Sequence, residues 1–155
     1  MMMHLSCDVL KKLRGKTLVT AESCTGGGIG NLLTDIPGSS EVYKGGIICY
    51  TNWVKEHVLG VDQKILDQYG AVSYPVAESM AVGARKVLCA DIAVSVTGLA
   101  GPGGDDFGNP VGTVFIGYSD CQKSFAREYH FSGNRAEVRK QAVSASLKLV
   151  LDENM

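Results

Sequence analysis

The sequence lacks an excess of charge of either sign, a long uninterrupted hydrophobic run and any closely paired cysteines. Its 155 residues include 15 lysines and arginines against 16 aspartates and glutamates, leaving a net charge of −1. Without a basic field to neutralise phosphates, we expect no nucleic-acid partner. The longest uncharged stretches, residues 45–54 and 92–104, are short and contain glycines, so we expect no membrane association. No apolar leader follows the first methionines, which predicts a cytoplasmic protein.

Metal-binding patterns are missing as well. The five cysteines, at positions 7, 24, 49, 89 and 121, form no C-x-x-C pair, and their odd number predicts reduced thiols. The three histidines, at positions 4, 57 and 130, have no spacing typical of metal ligands. We therefore expect neither a metal nor another cofactor. Cys24 adjoins Ser23 in the chain and is an alternative nucleophile at this point.

Glycine, by contrast, is abundant, with 19 residues that cluster at 26–30 and 98–108. Such clusters follow strands and form loops that approach ligands closely. Hydrophobic patterning predicts helices over residues 4–14, 25–36, 52–59, 62–69, 75–88 and 134–151, and strands over 17–21, 43–50, 91–97, 113–119 and 123–131. This order predicts an α/β fold, with residues 1–155 forming one domain, a three-layer α/β/α sandwich on a mixed, mostly parallel sheet.

Ser23 ends the first predicted strand and immediately precedes the first glycine cluster. The carboxyl ends of the strands form the usual ligand crevice of such a sheet. Backbone N–H groups at a glycine-rich helix start also favour an anion nearby. Ser23 is therefore interpreted in three ways, as a nucleophile, as a helix cap or as a ligand contact. If it is the nucleophile, N–H groups within residues 24–27 would stabilise the oxyanion.

Lys55 follows the second predicted strand, with Thr51 or Asn52 as the N-cap of the next helix. A cation near a helix amino end is unfavourable, and burial would lower its pKa further. Neutrality near pH ~7.4 requires a shift of about 3 units, or roughly 4 kcal/mol. A neutral Lys55 would accept the Ser23 proton, with Tyr50 relaying the proton or orienting the amine. The other interpretation of Lys55 is a solvated surface lysine.

The remaining candidates for ligand binding follow the third predicted strand or begin the last helix. The second glycine cluster is interpreted either as a wall of the crevice or as a connecting loop. Arg135 and Arg139 lie one helical turn apart, where they would clamp a phosphate or remain solvated. The first cluster lacks the Gly-Lys-Ser/Thr of a phosphate-binding P-loop and the third glycine of a dinucleotide fingerprint.

Taken together, several ordered motifs make the sequence similar to the CinA C-terminal domain family, which includes stand-alone nicotinamide-nucleotide amidohydrolases of the PncC type. The motifs lie at residues 21–27, 37–40, 50–55, 70–73, 97–104, 110–114 and 132–139. The resemblance implies hydrolysis of nicotinamide mononucleotide to nicotinate mononucleotide and ammonia, in pyridine nucleotide recycling. It also implies a Ser–Lys mechanism in which Ser23 is the nucleophile, Lys55 the base and Tyr50 the assisting residue.

The nucleotide contacts are our own inference, and we place them on Thr25, Gly26, Gly27, Gly101 and Arg135. Two departures from the family pattern accompany the resemblance. From this sequence we expect the N-terminal domain of the longer CinA proteins, and the activity of that domain, to be absent. Asn109 stands where many relatives have a lysine, which removes one positive charge near the site.

Two other functions fit the same residues. One is a nucleotide-binding regulatory module without turnover, and the other is an amidase for a different small amide. In each case the expected partner is a small molecule. A homo-oligomer is possible on general grounds, since most soluble oligomers are closed and symmetric.

Overall fold

The computed structural model describes residues 2–155 and contains every helix and strand predicted from the sequence. The helices are α1 (Met2–Lys12), α2 (Gly28–Thr34), α3 (Asn52–His57), α4 (Gln63–Tyr69), α5 (Tyr74–Val87) and α6 (Arg135–Glu153). The strands are β1 (Leu18–Glu22), β2 (Tyr43–Ile48), β3 (Ile92–Gly98), β4 (Thr113–Ser119) and β5 (Ser124–His130). A single 3₁₀ turn, Ser39–Glu41, precedes β2.

The five strands form one mixed sheet in the order β2-β1-β3-β4-β5. β2, β1 and β3 run parallel, whereas β4 pairs antiparallel with β3 and forms an antiparallel hairpin with β5. β1 is buried along its whole length, as expected for a strand that is covered on both faces. The predicted three-layer α/β/α fold on a mixed sheet is confirmed.

Two hydrophobic cores cover the two faces of the sheet. On one face α1, α2 and α6 pack together over side chains such as Leu18, Val94 and Ile116. On the other face α5 packs against the sheet, and α4 packs against α5 around Val19, Ala93 and Met80. Because both faces are covered, the edge where β1, β2 and β3 end is the open place for a ligand. No helix within residues 2–155 combines the length and the apolar character needed to cross a bilayer.

One predicted boundary differs in a way that affects the site. The sequence predicts a helix from residue 25, but α2 begins at Gly28. Gly26 and Gly27 have φ of 60° and 101°, a left-handed conformation that is accessible to glycine and strained for other residues. The chain therefore makes a turn over residues 23–28, which we call the nucleophile loop, before α2 starts.

Candidate active site

A cavity of about 590 Å³ lies at the carboxyl ends of β1, β2 and β3. Its walls come from the nucleophile loop, from the segment that joins β2 to α3, and from the loop that follows β3. Of the residues singled out in the sequence, the cavity is lined by Ser23, Tyr50, Lys55, Gly101 and Arg135. The parallel strands thus bring together side chains from distant parts of the chain.

Ser23 and Lys55 are in direct contact at the floor of this cavity. Lys55 Nζ lies 2.8 Å from Ser23 Oγ, although 32 positions separate the two residues in the chain. Ser23 is held at the end of β1, where its backbone N–H donates to the carbonyl oxygen of Val96 in β3. A nucleophile and a base within hydrogen-bond distance is the arrangement that covalent catalysis requires.

Lys55 is positioned by the short helix α3. Thr51 is the N-cap, its hydroxyl accepting from the backbone N–H of Val54, so Lys55 falls in the fourth helical position. The side chain is only 1% exposed. Its Nζ lies 2.6 Å from the carbonyl oxygen of Cys49 and 3.5 Å from that of Tyr50. Lys55 is therefore not the solvated surface lysine that the sequence left open.

The neighbours of Lys55 Nζ accommodate a neutral amine as well as an ammonium. A neutral amine has two N–H donors and one lone pair, and here two carbonyl oxygens and one hydroxyl surround the nitrogen of Lys55. The carbonyls can only accept, so in a neutral amine the lone pair faces the Ser23 hydroxyl, whereas in an ammonium the third N–H donates to Ser23 Oγ. Within residues 2–155, Lys55 forms no salt bridge with a carboxylate. Burial lowers the pKa of Lys55 from its ordinary value of 10.5, which is the direction a general base needs.

The two thiols next to this lysine have the opposite shift. Burial raises the pKa of Cys24 and of Cys49 to about 11 in each case. Both thiols are therefore protonated at neutral pH, and a protonated thiol is a poor nucleophile. The direct contact with Lys55 favours Ser23 over the alternative nucleophile Cys24.

Tyr50 and Arg135 meet on the opposite wall. Arg135 donates from Nη2 to the Tyr50 hydroxyl at 3.2 Å and from Nη1 to the Gly101 carbonyl oxygen at 2.8 Å. The Tyr50 side chain is 59% exposed, so its hydroxyl is open to a ligand. Among the predicted nucleotide contacts, Gly101 and Arg135 thus line the cavity together with Tyr50.

The other three predicted contacts lie behind Ser23. Thr25, Gly26 and Gly27 are not among the residues that line the cavity. The Thr25 hydroxyl donates to Glu22 Oε1 at 2.7 Å, and the Gly26 N–H donates to the carbonyl oxygen of Ser23 at 3.1 Å. Their contacts are with the protein itself, on the side of the nucleophile loop that faces α2.

Two residues hold the nucleophile loop: Glu22, which sequence reasoning did not single out, and Arg139, which it paired with Arg135 as a phosphate clamp or a solvated residue and which instead contacts the protein backbone. Glu22 accepts hydrogen bonds from the loop and from the start of α2. Arg139 donates from Nε to the Cys24 carbonyl oxygen at 3.0 Å and from Nη2 to that of Thr25 at 3.2 Å. A carboxylate shortly before a helix start was a visible signal for Glu22. The contact of Arg139 spans 115 positions and left no signal in the sequence.

The loop at residues 101–110, which we call the outer loop, is held mainly by its own polar side chains. Asp105 accepts from the backbone N–H of Phe107 and from both nitrogens of Asn109. Asn109 Nδ2 also donates to the Val72 carbonyl oxygen at 3.1 Å. The ring of Phe107 packs against Gly70, and a Cβ atom added at Gly70 would lie 2.6 Å from Cδ2 of Phe107. Asp105, Asp106 and Phe107 all line the cavity, and Phe107 is 49% exposed.

A metal centre is not evident in this part of the chain. Among residues 2–155, no three histidine, cysteine or carboxylate side chains converge in a way that would hold an ion. The functional groups that line the cavity include the hydroxyl of Ser23, the amine of Lys55, the phenol of Tyr50, the guanidinium of Arg135 and the carboxylates of Asp105 and Asp106.

The sequence and the fold of this chain are both similar to those of known proteins. The chain is 45% identical to the nicotinamide-nucleotide amidohydrolase PncC of Escherichia coli over 88% of its own length and 84% of the relative's. It is 56% identical to a CinA-like protein of Gloeothece citriformis over 68% of its length, but spans only 25% of that longer relative.

Solved structures agree with the sequence comparison. A CinA superfamily protein from Klebsiella pneumoniae superposes with a TM-score of 0.96 at 30% identity, covering 99% of this chain and 98% of the other. A competence/damage-inducible protein from Agrobacterium tumefaciens gives 0.95 at 37% identity, covering 99% and 96%. The family model for the CinA C-terminal domain matches residues 2–154. The chain belongs to the CinA C-terminal domain family.

Proposed function

We propose that this protein is an amidohydrolase that converts nicotinamide mononucleotide and water to nicotinate mononucleotide and ammonia. The observation that carries the proposal is the 2.8 Å contact between Ser23 Oγ and a buried Lys55 amine that forms no salt bridge within residues 2–155. The 45% identity to the Escherichia coli amidohydrolase supports the choice of substrate.

The first chemical step is attack of Ser23 Oγ on the carboxamide carbon. Lys55 accepts the serine proton through its lone pair, while its N–H groups remain directed at the carbonyl oxygens of Cys49 and Tyr50. The amine becomes an ammonium only as the new C–O bond forms. Because its environment disfavours charge, the ammonium gives up the proton readily in the next step.

The developing oxyanion requires donors near Ser23. Gly26 N–H is already used by the Ser23 carbonyl oxygen, so it is a poor candidate. Cys24 lines the cavity, and its backbone N–H donates to no carbonyl oxygen within residues 2–155. We assign the oxyanion to the Cys24 N–H, which is worth about 3 kcal/mol to the transition state if it behaves like other single donors.

The tetrahedral intermediate then collapses as Lys55 returns its proton to the leaving nitrogen, releasing ammonia and an ester on Ser23. Water attacks this ester, with Lys55 accepting a proton from the water and passing it to Ser23 Oγ as the ester bond breaks. Nicotinate mononucleotide leaves, and both residues return to their starting states. Every proton is moved by one amine.

Substrate binding falls to the opposite wall of the cavity. Arg135 is the cation on that wall, and a guanidinium suits the planar geometry of a phosphate. Its bonds to Gly101 and Tyr50 fix the direction in which it points. The Tyr50 hydroxyl accepts from Arg135, which leaves its own proton free to donate to the nucleotide or to the leaving group.

The direct test is ammonia release from nicotinamide mononucleotide by the purified protein, beside Ser23→Ala. We expect turnover by the wild type and a fall below about 0.1% of that rate in the variant, as for loss of other serine nucleophiles. Ser146→Ala is a matched control, because Ser146 is also buried but bonds to the Ala142 carbonyl oxygen within α6. Equal rates for the wild type and Ser23→Ala would contradict the assignment.

A second candidate, an amidase for a different small amide, is favoured by one observation. Two carboxylates, Asp105 and Asp106, line the same cavity as Arg135. Negative side chains near a phosphate site weaken the binding of an anionic substrate. Assaying nicotinamide riboside and nicotinamide beside the mononucleotide separates the candidates. If the mononucleotide is the substrate, it should have the highest kcat/KM of the three.

A further inference from the structure

Glu22 is a buried carboxylate directly before the nucleophile, and its environment is unusually complete. The side chain is 2% exposed. Oε1 accepts from the Thr25 hydroxyl at 2.7 Å and from the Ile29 N–H at 2.9 Å. Oε2 accepts from the Gly30 N–H at 3.0 Å and from the Thr20 hydroxyl at 3.3 Å. Both oxygens therefore have two donors each.

These donors come from three different elements. Thr20 belongs to β1, Thr25 to the nucleophile loop, and Ile29 and Gly30 to the first turn of α2. A buried charge without such bonds would cost several kcal/mol, so the chain folds with the donors turned towards Glu22. The carboxylate thus ties the strand before Ser23 to the helix after it.

The other side of the nucleophile loop is held by an opposite charge. Arg139 binds the Cys24 and Thr25 carbonyl oxygens, whereas Glu22 binds the Thr25 hydroxyl. The loop is therefore fixed from α6 through its carbonyls and from β1 through its donors. Ser23, which lies at the start of this loop, has little freedom to move away from Lys55.

Glu22 is reached from outside the cavity. It lines a separate groove of about 190 Å³ between α2 and β2, together with Gly27, Gly30, Tyr43 and Gly46. No residue lining this groove lines the catalytic cavity. The Tyr43 hydroxyl lies 2.8 Å from Thr20 Oγ1, which extends the hydrogen-bond network from Glu22 to the groove. A small anion in this groove would not compete with substrate in the cavity.

We propose that Glu22 is a positioning residue that sets the distance between Ser23 and Lys55, and so acts on the chemical step without touching substrate. The inference rests on the proposed function only in taking Ser23 as the nucleophile. A consequence is that the N–H groups of Ile29 and Gly30 are occupied by protein, so the substrate phosphate is bound elsewhere.

The test is removal of the carboxylate and its replacement by acetate, which matches the missing CH₂–COO⁻ group. In Glu22→Ala, kcat should fall about 100-fold while KM changes less than about threefold, because a small displacement of a reacting group costs that much. Acetate should restore kcat in a saturable way, and chloride at equal ionic strength should not. The kcat of Glu22→Gln should be about tenfold below that of the wild type. In this variant an NH₂ group replaces one accepting oxygen and faces donors that it cannot satisfy.

Asp120→Ala is the matched control. Asp120 also organises a turn, accepting from the N–H groups of Gln122 and Lys123 and from the Tyr118 hydroxyl, but in the hairpin between β4 and β5. This variant should lower the melting temperature with kcat unchanged. If lost stability alone lowered kcat, both variants would lose kcat to a similar extent when each is assayed at the same interval below its own melting temperature.

Labelling of Ser23 by a fluorophosphonate, followed by intact mass, separates this proposal from the proposed function. The label needs the nucleophile but not the amide substrate, so a protein inactive on the nucleotide still reports on Glu22. Activity of Glu22→Ala within about threefold of the wild type would overturn the proposal. A loss of kcat in Glu22→Ala that added acetate does not relieve, and that is equally large in Glu22→Gln, would also overturn it. If the alanine variant does not fold, wild-type kcat in Glu22→Gln overturns it.

Discussion

The two glycine-rich loops of the cavity are built on different principles. In the nucleophile loop, Ser23, Cys24 and Thr25 are buried, and distant residues hold the backbone from both sides. In the outer loop, most residues from Pro102 to Gly108 are exposed, and Asp105 and Asn109 within the loop supply most of the polar contacts. Glycine serves a tight turn in one loop and an open wall in the other.

This difference separates two tasks of an enzyme. The nucleophile loop fixes reacting atoms, so changes there should act on kcat, since a displaced group weakens the transition state. The outer loop offers a surface to the rest of the substrate, so changes there should act on KM, because such contacts are equally strong before and during the reaction. Three predictions test this division, from the largest effect to the smallest.

The largest effect is expected for Lys55. Lys55→Arg should lower kcat by about 10³-fold, because arginine stays protonated and cannot accept the serine proton. In the wild type, kcat should rise with pH through the pKa of Lys55, which burial lowers from 10.5. A pH–rate profile at saturating substrate measures both. Near-normal rates for the arginine variant, or no acidic limb below pH 10.5, would remove Lys55 as the base.

The same lysine makes a stability prediction with a defined sign. The pKa of Lys55 is lowered in the folded state, so between that value and 10.5 the unfolded chain binds a proton that the folded chain does not. Stability should therefore rise with pH across this window. Lys55→Met, which removes the titrating group, should raise the melting temperature most at pH values below the window and progressively less as pH approaches 10.5.

An intermediate effect is expected for Arg139, compared with its neighbour Arg135. Arg139→Met removes two hydrogen bonds to the nucleophile loop and should lower kcat about tenfold with little change in KM. Arg135→Met removes a cation from the cavity wall and should instead raise KM for the mononucleotide. Steady-state kinetics of the pair decide the question, and the same pattern in both variants would contradict the division between the two loops.

The smallest effect is expected in the outer loop. Phe107 offers a half-exposed ring to the cavity, and stacking of an aromatic ligand is worth about 1 kcal/mol. Phe107→Ala should therefore raise KM about fivefold with kcat nearly unchanged. Val87→Ala, at an exposed apolar position outside the cavity, is the control and should leave both constants as they are. A fall in kcat for Phe107→Ala would mean that the outer loop also positions reacting atoms.

The sequence predicted the fold well because its signals are local. Alternating helices and strands, with boundaries within a few residues, follow from hydrophobic periodicity and turn residues. The meeting of Ser23 with the segment containing Lys55 follows as well, since the ends of neighbouring parallel strands lie at one edge. The N-cap at Thr51, which sets the position of Lys55 on its helix, was one of the two positions that the sequence left open.

The parts that were not predicted depend on contacts between distant positions. The start of α2 shifted to Gly28 because two left-handed glycines make a turn, which periodicity does not reveal. The hydrogen bonds from Arg139 to the nucleophile loop depend on the packing of α6 against α2. The burial of Lys55, which decides between a base and a surface charge, is likewise a property of the assembled structure.

The way Lys55 is held has a consequence for how this site tolerates sequence change. Apart from Ser23, its partners are main-chain carbonyl oxygens of residues 49 and 50, which every amino acid provides. A change of the Cys49 side chain would therefore leave the direction of the amine unaltered, whereas Tyr50 also contributes its hydroxyl to the cavity wall. The path of the backbone thus sets the direction of the Lys55 amine, and the proton transfer itself depends on the side chains of Ser23 and Lys55.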